Sequence, residues 1–463
     1  MLNVVFVGGG SARLLPILRK VFQNPAVFDG GSIRLVDREL SRAEAVGRLL
    51  MKSPEFSKMN CKVVWSSDFV SQLEGADAVY LTMAARREPS WTQAAMISAR
   101  YGYICSDQLS INGAFLSARL GKTILTFARQ MERYAPQARM LIFPNPVAAY
   151  AAGVERHTKI EALGICGGYY NHTWDLTRIC FGRDECDPSW EPVVAGVNHL
   201  SFILRGTYRG TPIHDLLRKV ADDPDWEPIR LPTMQGILSY AEQNSRAGQK
   251  IIVDIFRKYG AAVFSSEADG SMHIAKESWD KAREKETAEN FASFDPVRAE
   301  KEQQKGIAER FRTLHDAATG AADPDWDAPL FRPVRDISVP IFNALAEQGK
   351  MRIAASRLNR GAVRGIPDDN VVEYSMELSG REITPFPDLY IPHPFQGLIA
   401  SLSEFHTLLG DFAATQDPKI FAQALEAYPM HKFEASRKAY LHEMFDLYSD
   451  LDPAFRQAEQ YLI

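Results

Sequence analysis

Four polar side chains between positions 145 and 199 are of types that can do chemistry. Asn145 stands between two prolines, Cys166 precedes two glycines, and Asn198 precedes His199. A thiolate and an imidazole bind divalent transition metals, and a carboxamide can hold the hydroxyls of a polar substrate. Each residue alone also fits a structural role, as a turn, a core thiol or a buried histidine. Their order in one chain is more specific than any single residue.

A glycine-rich segment near the start of the chain could bind a dinucleotide. The apolar run Val4–Val7 predicts a buried strand, the turn Gly8-Gly9-Gly10-Ser11 follows it, and apolar periodicity predicts a helix from near Leu15. Such a turn presents backbone N–H groups to phosphates. Arg13 stands where the third glycine of G-x-G-x-x-G is usual, so the motif departs from the dehydrogenase pattern.

The next predicted strand ends in an acid that favours NAD. Ile33–Asp37 alternates like a strand, and its terminal carboxylate can accept hydrogen bonds from the ribose hydroxyls of adenosine. This favours NAD over NADP, although Arg38 leaves room for some tolerance of NADP.

The elements around these motifs predict an α/β fold. Further strands are expected at Ala76–Thr82 and from Met140, with a helix at Gly121–Tyr134 between them. Strands alternating with helices indicate a Rossmann-type, doubly wound parallel sheet. We therefore expect an NAD-binding domain at 1–190. A C-terminal mixed α+β domain at 191–463 would contribute to substrate, metal and oligomer contacts.

Three later segments, 337–349, 394–410 and 418–428, have helical apolar spacing and are expected to build the second domain. Residues 281–316 predict a helix with a solvated face, interrupted at Asp295-Pro296. Residues 320–329 predict a surface loop.

Composition narrows the function classes. The 463 residues are 46% hydrophobic and 24% charged, with a net charge of -5, so a nucleic-acid surface is not expected and a small-molecule partner is. No apolar stretch reaches the length of a membrane span, and no signal peptide is apparent, which predicts a cytoplasmic protein. Five scattered cysteines predict reduced thiols.

In this order, the motifs resemble those of glycoside hydrolase family 4, whose members are NAD- and divalent-metal-dependent glycosidases with a fold related to lactate and malate dehydrogenases. The GGGS start followed by a proline, the segment Asn112–Arg119 and the segment Asn359–Glu373 add to the resemblance. Asn112–Arg119 looks like the family's glycine-containing loop before a helix with an inward arginine. The resemblance covers most of the chain.

The resemblance implies a role for each motif. It assigns NAD to the first motif and Asp37, Mn2+ to Cys166 and His199, and the glycoside to four further residues. The cofactor set is Gly8, Gly9, Gly10, Ser11 and Asp37, and the substrate set is Asn145, Asn198, Arg87 and Arg119. A phosphate, carboxylate or sulfonate could be bound at Arg86-Arg87, which are as readily explained as solvated loop charges.

The family's reaction is an NAD-dependent exception among glycosidases. NAD+ takes hydride from sugar C3, a base removes the acidified C2 proton, and the C1 leaving group departs by elimination. Water then adds and the steps reverse, so the net reaction is hydrolysis. The metal would bind the C2 and C3 oxygens as a Lewis acid.

Two positions depart from the pattern or leave alternatives. Gly167 follows the cysteine that matches the family's metal ligand, where many members carry a functional side chain. Either Tyr169, Tyr170 or His172 supplies the proton from the following turn, or the substrate has a leaving group that needs little help. For the C2 base the candidates are Tyr259, whose pKa would have to be lowered, and His273, whose ordinary pKa already suits the task.

The resulting expectation is a cytoplasmic homodimer or homotetramer that hydrolyses an alpha-glycoside or a glycoside of an acidic sugar. Two alternatives stay open. A net NAD-dependent dehydrogenase of a hydroxy acid or sugar fits the same fold but does not require Cys166. A catalytically idle NAD-binding sensor is suggested by Gly167.

Overall fold

The computed structural model describes residues 1–84, 91–229, 246–265, 269–278, 296–430, 434–451 and 453–462. Arg86 and Arg87, with the substrate role expected for Arg87, lie outside the described residues, as does the whole 281–295 part of a predicted helix.

Six parallel strands form the first half of a sheet. They are β1 (Asn3–Val7), β2 (Ser32–Val36), β3 (Lys62–Ser66), β4 (Ala78–Leu81), β5 (Arg139–Ile142) and β6 (Ala162–Gly164). They lie in the order β3-β2-β1-β4-β5-β6, which is that of the dinucleotide-binding fold. The central strands β1, β4 and β5 are buried apolar runs because helices cover both faces. The predicted Rossmann-type sheet is confirmed.

The helices of this half are α1 (Leu14–Phe22), α2 (Leu40–Lys52), α3 (Trp91–Arg100), α4 (Ile111–Tyr134), α5 (Val147–His157) and α6 (Gly168–Phe181). Helix α1 begins one residue before the predicted Leu15. Helix α4 is longer than predicted, because Ser110 caps it by accepting a hydrogen bond from Gly113 N at 3.2 Å. Asn112, expected in a loop, therefore lies in a helix.

The second half is mostly antiparallel. Its strands are β7 (Trp190–Val197), β8 (Leu200–Tyr208), β9 (Thr211–Pro212), β10 (Ala262–Phe264), β11 (Met351–Leu358), β12 (Val363–Arg364), β13 (Val371–Ser379), β14 (Glu382–Pro385) and β15 (Leu389–Tyr390). Strands β12 and β15 form a separate parallel pair. The other strands continue the first sheet, because β11 pairs with β6 through Ser356 and Gly164. The two predicted domains thus share one sheet.

The remaining helices are α7 (Ile213–Asp222), α8 (Arg246–Tyr259), α9 (269–278), α10 (Pro296–Thr319), α11 (Ser338–Leu345), α12 (Gln396–Thr415), α13 (Pro418–Ala427), α14 (Arg437–Leu447) and α15 (Pro453–Arg456). Helix α12 packs across α4 and α5, where a Cβ at Gly410 would lie 2.5 Å from Gly153 N. Among the described helices, none is long and apolar enough to cross a membrane.

Candidate active site

The glycine turn after β1 is packed against the end of β2. The N–H groups of Gly8 and Gly9 both donate to Val36 O at 2.9 Å. Gly8 has a φ of +81°, a conformation that side chains rarely adopt, and a Cβ at Gly9 would lie 2.7 Å from Val36 N. The turn therefore requires glycine at these positions.

Asp37 is held in place by the same turn. Its Oδ2 accepts a hydrogen bond from Gly10 N and its Oδ1 accepts one from Glu39 N, each at 3.0 Å. The carboxylate is partly exposed, so each oxygen keeps a lone pair for a ribose hydroxyl. The carboxylate therefore has the acceptor capacity that the ribose of a dinucleotide needs, at the end of a glycine turn that is fixed by its own hydrogen bonds.

Arg13, at the position of the missing third glycine, connects this turn to the neighbouring site. Its guanidinium lies 3.6 Å from the ring centroid of Phe143, two residues before Asn145, and forms an ion pair with Asp336 at 2.6 Å. The departure from the usual motif therefore has a structural role at the boundary between the two sites.

Cys166 and His199 meet at the carboxyl end of β6. Cys166 Sγ lies 3.5 Å from His199 Nε2, and Gly168 N, at the start of α6, lies 3.3 Å from the same sulfur. His199 occupies the two-residue turn between β7 and β8 with a φ of +66°. The structure thus brings together the two residues that the sequence paired as metal ligands.

Asp269 contacts the other nitrogen of that imidazole. Its Oδ2 lies 3.1 Å from His199 Nδ1 and also accepts a hydrogen bond from Ser106 Oγ. A Cβ at Gly270 would lie 1.9 Å from His199 O, so glycine there allows α9 to approach the turn closely. This carboxylate fixes the orientation of the ring, with Nε2 towards Cys166.

The side chains of Asn145 and Asn198, for which a substrate role is expected, belong to a second hydrogen-bonded group. Gln108 Nε2 donates to Asn145 Oδ1 at 2.8 Å and to Asn198 Oδ1 at 2.5 Å. Asn198 Nδ2 donates to Glu373 Oε2 at 2.6 Å, and Ser201 Oγ donates to Glu373 Oε1 at 3.2 Å. Asn145, Asn198 and Glu373 come from three distant segments, and Gln108 lies at their centre.

Burial and charge set the ionisation of this region. Burial raises the pKa of Asp269, but the charge and hydrogen bonds of His199 and the hydrogen bond of Ser106 outweigh burial and lower it. Burial raises the pKa of Glu373, although the hydrogen bond from Asn198 opposes this shift. Burial also lowers the pKa of His406, which lies behind Gln108, to about 4.

Two residues expected at the site make their contacts elsewhere. Tyr259 is 41% exposed at the end of α8, with its ring packed on Phe395. Arg119 forms a two-pronged ion pair with Asp450, at 2.7 Å for each nitrogen. In the described part of the chain, neither side chain is hydrogen-bonded to Asn145, Asn198 or Cys166. His273 does lie nearby, one turn of α9 after Asp269, and its charge contributes to lowering the pKa of that carboxyl.

Gly167 faces open space, since a Cβ there would meet no described heavy atom within 4 Å. Of the three substitutes considered for a proton donor, Tyr169 donates to Pro192 O at 3.2 Å and Tyr170 lies under the guanidinium of Arg335. His172 is buried, with Nε2 3.2 Å from where a Cβ of Gly168 would be.

Sequence reasoning missed Gln108 and gave Ser106 and Asp269 no role. The one signal in this region was local: Ser110 three residues before Gly113 predicts a helix start. A helix start at that point places Ser106–Gln108 in the loop that reaches the site.

Two family models match the sequence. Residues 3–180 match the model for family 4 glycosyl hydrolases, and residues 194–430 match the model for the C-terminal domain of that family.

Individual relatives are distant. An alpha-galactosidase from Bacillus subtilis (strain 168) is 29% identical over 129 residues, 27% of this chain and 29% of that protein's length. A second protein from the same strain, named as a probable 6-phospho-beta-glucosidase, is 20% identical over 458 residues, 98% of each chain. The 6-phospho-beta glucosidase of Thermotoga maritima, solved with manganese, NAD+ and glucose-6-phosphate, is 14% identical with a TM-score of 0.70, over 97% of this chain and 99% of that one.

At such low identity the solved structure shows a shared fold, while the family models identify the sequence itself. A glycosidase is therefore favoured over a net dehydrogenase of similar fold. The two matches leave only short segments of the sequence outside them, and on this evidence the chain belongs to family 4 of the glycosyl hydrolases.

Proposed function

We propose that the chain hydrolyses O-glycosidic bonds through transient oxidation of the sugar, with NAD+ and a divalent metal as cofactors. The observation that carries the proposal is the 3.5 Å approach of Cys166 Sγ to His199 Nε2, next to the group that joins Asn145 and Asn198. All of these residues lie at the carboxyl ends of the parallel strands or at the β7–β8 turn, on the same edge as Asp37.

The ligand pair fits one metal ion. Sulfur and nitrogen donors at about 2.3 Å and about 2.1 Å from a common ion are about 3.5 Å apart at a near-tetrahedral angle. The thiolate is softer than Mn2+ prefers, so the choice of Mn2+ is supported by the Thermotoga maritima structure rather than by the ligands.

When bound, NAD+ supplies a hydride acceptor for sugar C3 and the metal supplies Lewis acidity at the C2 and C3 oxygens. The side chains of Asn145 and Asn198 orient the sugar. A base then removes the C2 proton, and the C1 oxygen leaves with its bonding electrons. We infer that His273 is the better candidate for the base, because it lies beside Asp269, whereas Tyr259 packs on Phe395.

Two observations bear on which anomer the enzyme accepts and on whether the sugar carries an acidic group. Gly167 provides no proton donor, so the leaving group departs with help from His172 or without a protein acid. One relative is named for an alpha-galactoside and another for a 6-phospho-beta-glucoside, so both anomers occur among the relatives' names. We propose an alpha-glycoside or an acidic sugar, with Arg87 as a candidate to bind the acid, whereas the guanidinium of Arg119 is taken up by Asp450.

One experiment tests the reaction. Alpha- and beta-aryl glycosides of neutral, 6-phospho and uronic sugars are incubated in D2O with NAD+, Mn2+ and a reductant, and the released sugar is examined by NMR. We expect deuterium at C2, since the C2 proton exchanges with solvent during elimination. Hydrolysis that leaves C2 fully protonated would exclude the proposed reaction.

Two variants control that experiment. Cys166→Ser is expected to abolish hydrolysis, whereas Cys180→Ser, at a partly buried thiol of α6, is expected to keep it. A net dehydrogenase would instead accumulate NADH in proportion to substrate consumed, and an idle NAD-binding protein would do neither.

We also propose that the enzyme is a cytoplasmic homo-oligomer. All five cysteines are free thiols, which agrees with a reducing compartment. Light scattering of the purified protein distinguishes a dimer from a tetramer, and a monomer would contradict this part of the proposal.

A further inference from the structure

The carboxamide of Gln108 is fully buried between the side chains of Asn145 and Asn198. Its Nε2 donates both of its hydrogens, one to Asn145 Oδ1 and one to Asn198 Oδ1. A primary amide nitrogen has two hydrogens, so the donor capacity of Gln108 is fully used.

The orientation of this carboxamide follows from Glu373. A carboxylate accepts hydrogen bonds, so the atom of Asn198 that faces Glu373 Oε2 at 2.6 Å is Nδ2. Asn198 Oδ1 then faces Gln108, which must present its own nitrogen. The oxygen of Gln108 therefore points away from both asparagines.

That oxygen, Gln108 Oε1, is buried and has no hydrogen-bond partner in the described part of the chain. Buried carboxamide oxygens nearly always accept a hydrogen bond, because an unpaired buried acceptor costs stability. The side chain of Gln108 is 0% exposed, and it is hydrogen-bonded directly to Asn145 and Asn198.

The backbone of Gln108 is fixed on both sides, so the side chain cannot easily shift to find another partner. Its N–H donates to Ser106 Oγ at 2.9 Å, and its carbonyl oxygen lies 3.5 Å from His406 Nε2. His406 is itself buried, and burial holds its pKa near 4, so it is the neutral imidazole at neutral pH. A neutral imidazole can still donate from Nε2.

We propose that Gln108 is a specificity-determining residue that accepts a hydrogen bond from one non-reacting ring hydroxyl of the sugar through Oε1. Its Nε2 meanwhile fixes the two asparagine amides around the same ring. This inference rests on the proposed function in one respect: it takes the ligand to be a sugar. A site built to pair with a hydroxyl discriminates strongly against an analogue that lacks it, because the buried acceptor is then left unpaired.

The test measures binding as well as turnover. The protein loaded with NAD+ and Mn2+ is titrated calorimetrically with glucose, galactose, glucuronate, galacturonate and glucose 6-phosphate, and then with each monodeoxy form of the sugar that binds. We expect one monodeoxy form to bind the unmodified protein about tenfold or more weakly. In Gln108→Met, the parent sugar should lose affinity by a similar factor, and discrimination against that deoxy form should fall to about twofold or less.

Gln249→Met is the matched control, because Gln249 is also 0% exposed and bonds through both amide atoms to the backbone of Ile229. It should lower the melting temperature without changing the discrimination between sugars. If Gln108→Met does not fold, Gln108→Glu keeps an acceptor oxygen and loses the donor, and it should retain the preference for the same hydroxyl.

The outcomes separate this inference from the proposed function. Undiminished discrimination in Gln108→Met, or no sugar binding by the unmodified protein, overturns the inference. Sugar binding with the expected discrimination, but without hydrolysis and deuterium exchange at C2, supports the role of Gln108 and overturns the proposed reaction.

Discussion

The carboxylate of Asp269 lies 3.1 Å from Nδ1 of His199, on the side of the ring opposite Cys166. This places an acceptor on one nitrogen and leaves the other nitrogen facing Cys166, the arrangement found where a histidine that binds a metal is held in one tautomer. Ser106 donates to the same carboxylate, so the loop before α4 also helps to hold Asp269 against the His199 ring. Asp269 is accordingly a positioning residue.

Replacing Asp269 should therefore weaken metal binding without removing a ligand. We expect Asp269→Asn to raise the Kd for Mn2+ by about 10- to 100-fold, because the charge that favours the oriented imidazole is lost. Electron paramagnetic resonance titration of free Mn2+ measures this. Asp187→Asn is the control, since Asp187 is similarly buried but bonds to Ser189 and Tyr208. Equal Mn2+ affinity in the two variants would refute the positioning role.

The glycine turn predicts a selective effect on cofactor affinity. A Cβ at Gly10 would lie 2.4 Å from Arg42 Cβ and 3.0 Å from Asp37 Oδ2, so Gly10→Ala must displace the carboxylate. We expect NAD+ to bind about tenfold or more weakly, measured by calorimetry. Gly306→Ala, in α10, meets no described atom within 4 Å and should bind NAD+ normally. Unchanged affinity in Gly10→Ala would mean that NAD+ does not use this turn.

The ion pair of Arg119 separates a structural role from a substrate role. Because Asp450 is 54% exposed, we expect a coupling free energy of only about 0.5–1 kcal/mol between the two residues in a double-mutant cycle of urea unfolding. Arg119→Ala and Asp450→Ala should then leave KM unchanged. A rise in KM for Arg119→Ala alone would restore the substrate contact expected from the sequence.

His406 predicts a loss of stability in weak acid. Its pKa is lowered by burial to about 4, against about 6.5 in an unfolded chain, so protonation favours the unfolded state. The stabilisation that comes from keeping His406 neutral is complete above about pH 6.5 and is lost as the pH falls towards 4. Its loss lowers the free energy of unfolding by about 3 kcal/mol at most. We expect His406→Gln to lose less stability than the unmodified protein between these limits, as followed by urea midpoints. Parallel pH profiles for the two proteins would contradict this.

Local patterns predicted the cofactor half well. The run Val4–Val7, the turn that follows it and Asp37 specify a strand, a glycine turn and a strand end, and the structure has each of them within one residue. Strand β3 was not predicted, because Lys62–Ser66 is short and only partly buried at the edge of the sheet.

The hydrogen-bonded group of Gln108, Asn145, Asn198 and Glu373 could not be predicted from the sequence, since it depends on contacts between distant segments. The side chain of Gln108 meets Asn145 and Asn198 across 37 and 90 positions of sequence, and its backbone oxygen meets the His406 ring across 298. A lone glutamine has no periodicity or motif that announces such contacts. Arg119 illustrates the reverse case: its spacing in the family motif suggested the site, but its partner Asp450 comes from the far end of the chain.

The shared sheet also limits how the enzyme can admit a substrate. Cys166 follows β6 and Glu373 lies in β13, while β11 is hydrogen-bonded between those two strands. The parallel and antiparallel halves of the sheet cannot move apart by a hinge motion without breaking backbone hydrogen bonds. Small-angle scattering should thus give one radius of gyration with and without ligands, because paired strands hold the two halves of the sheet together.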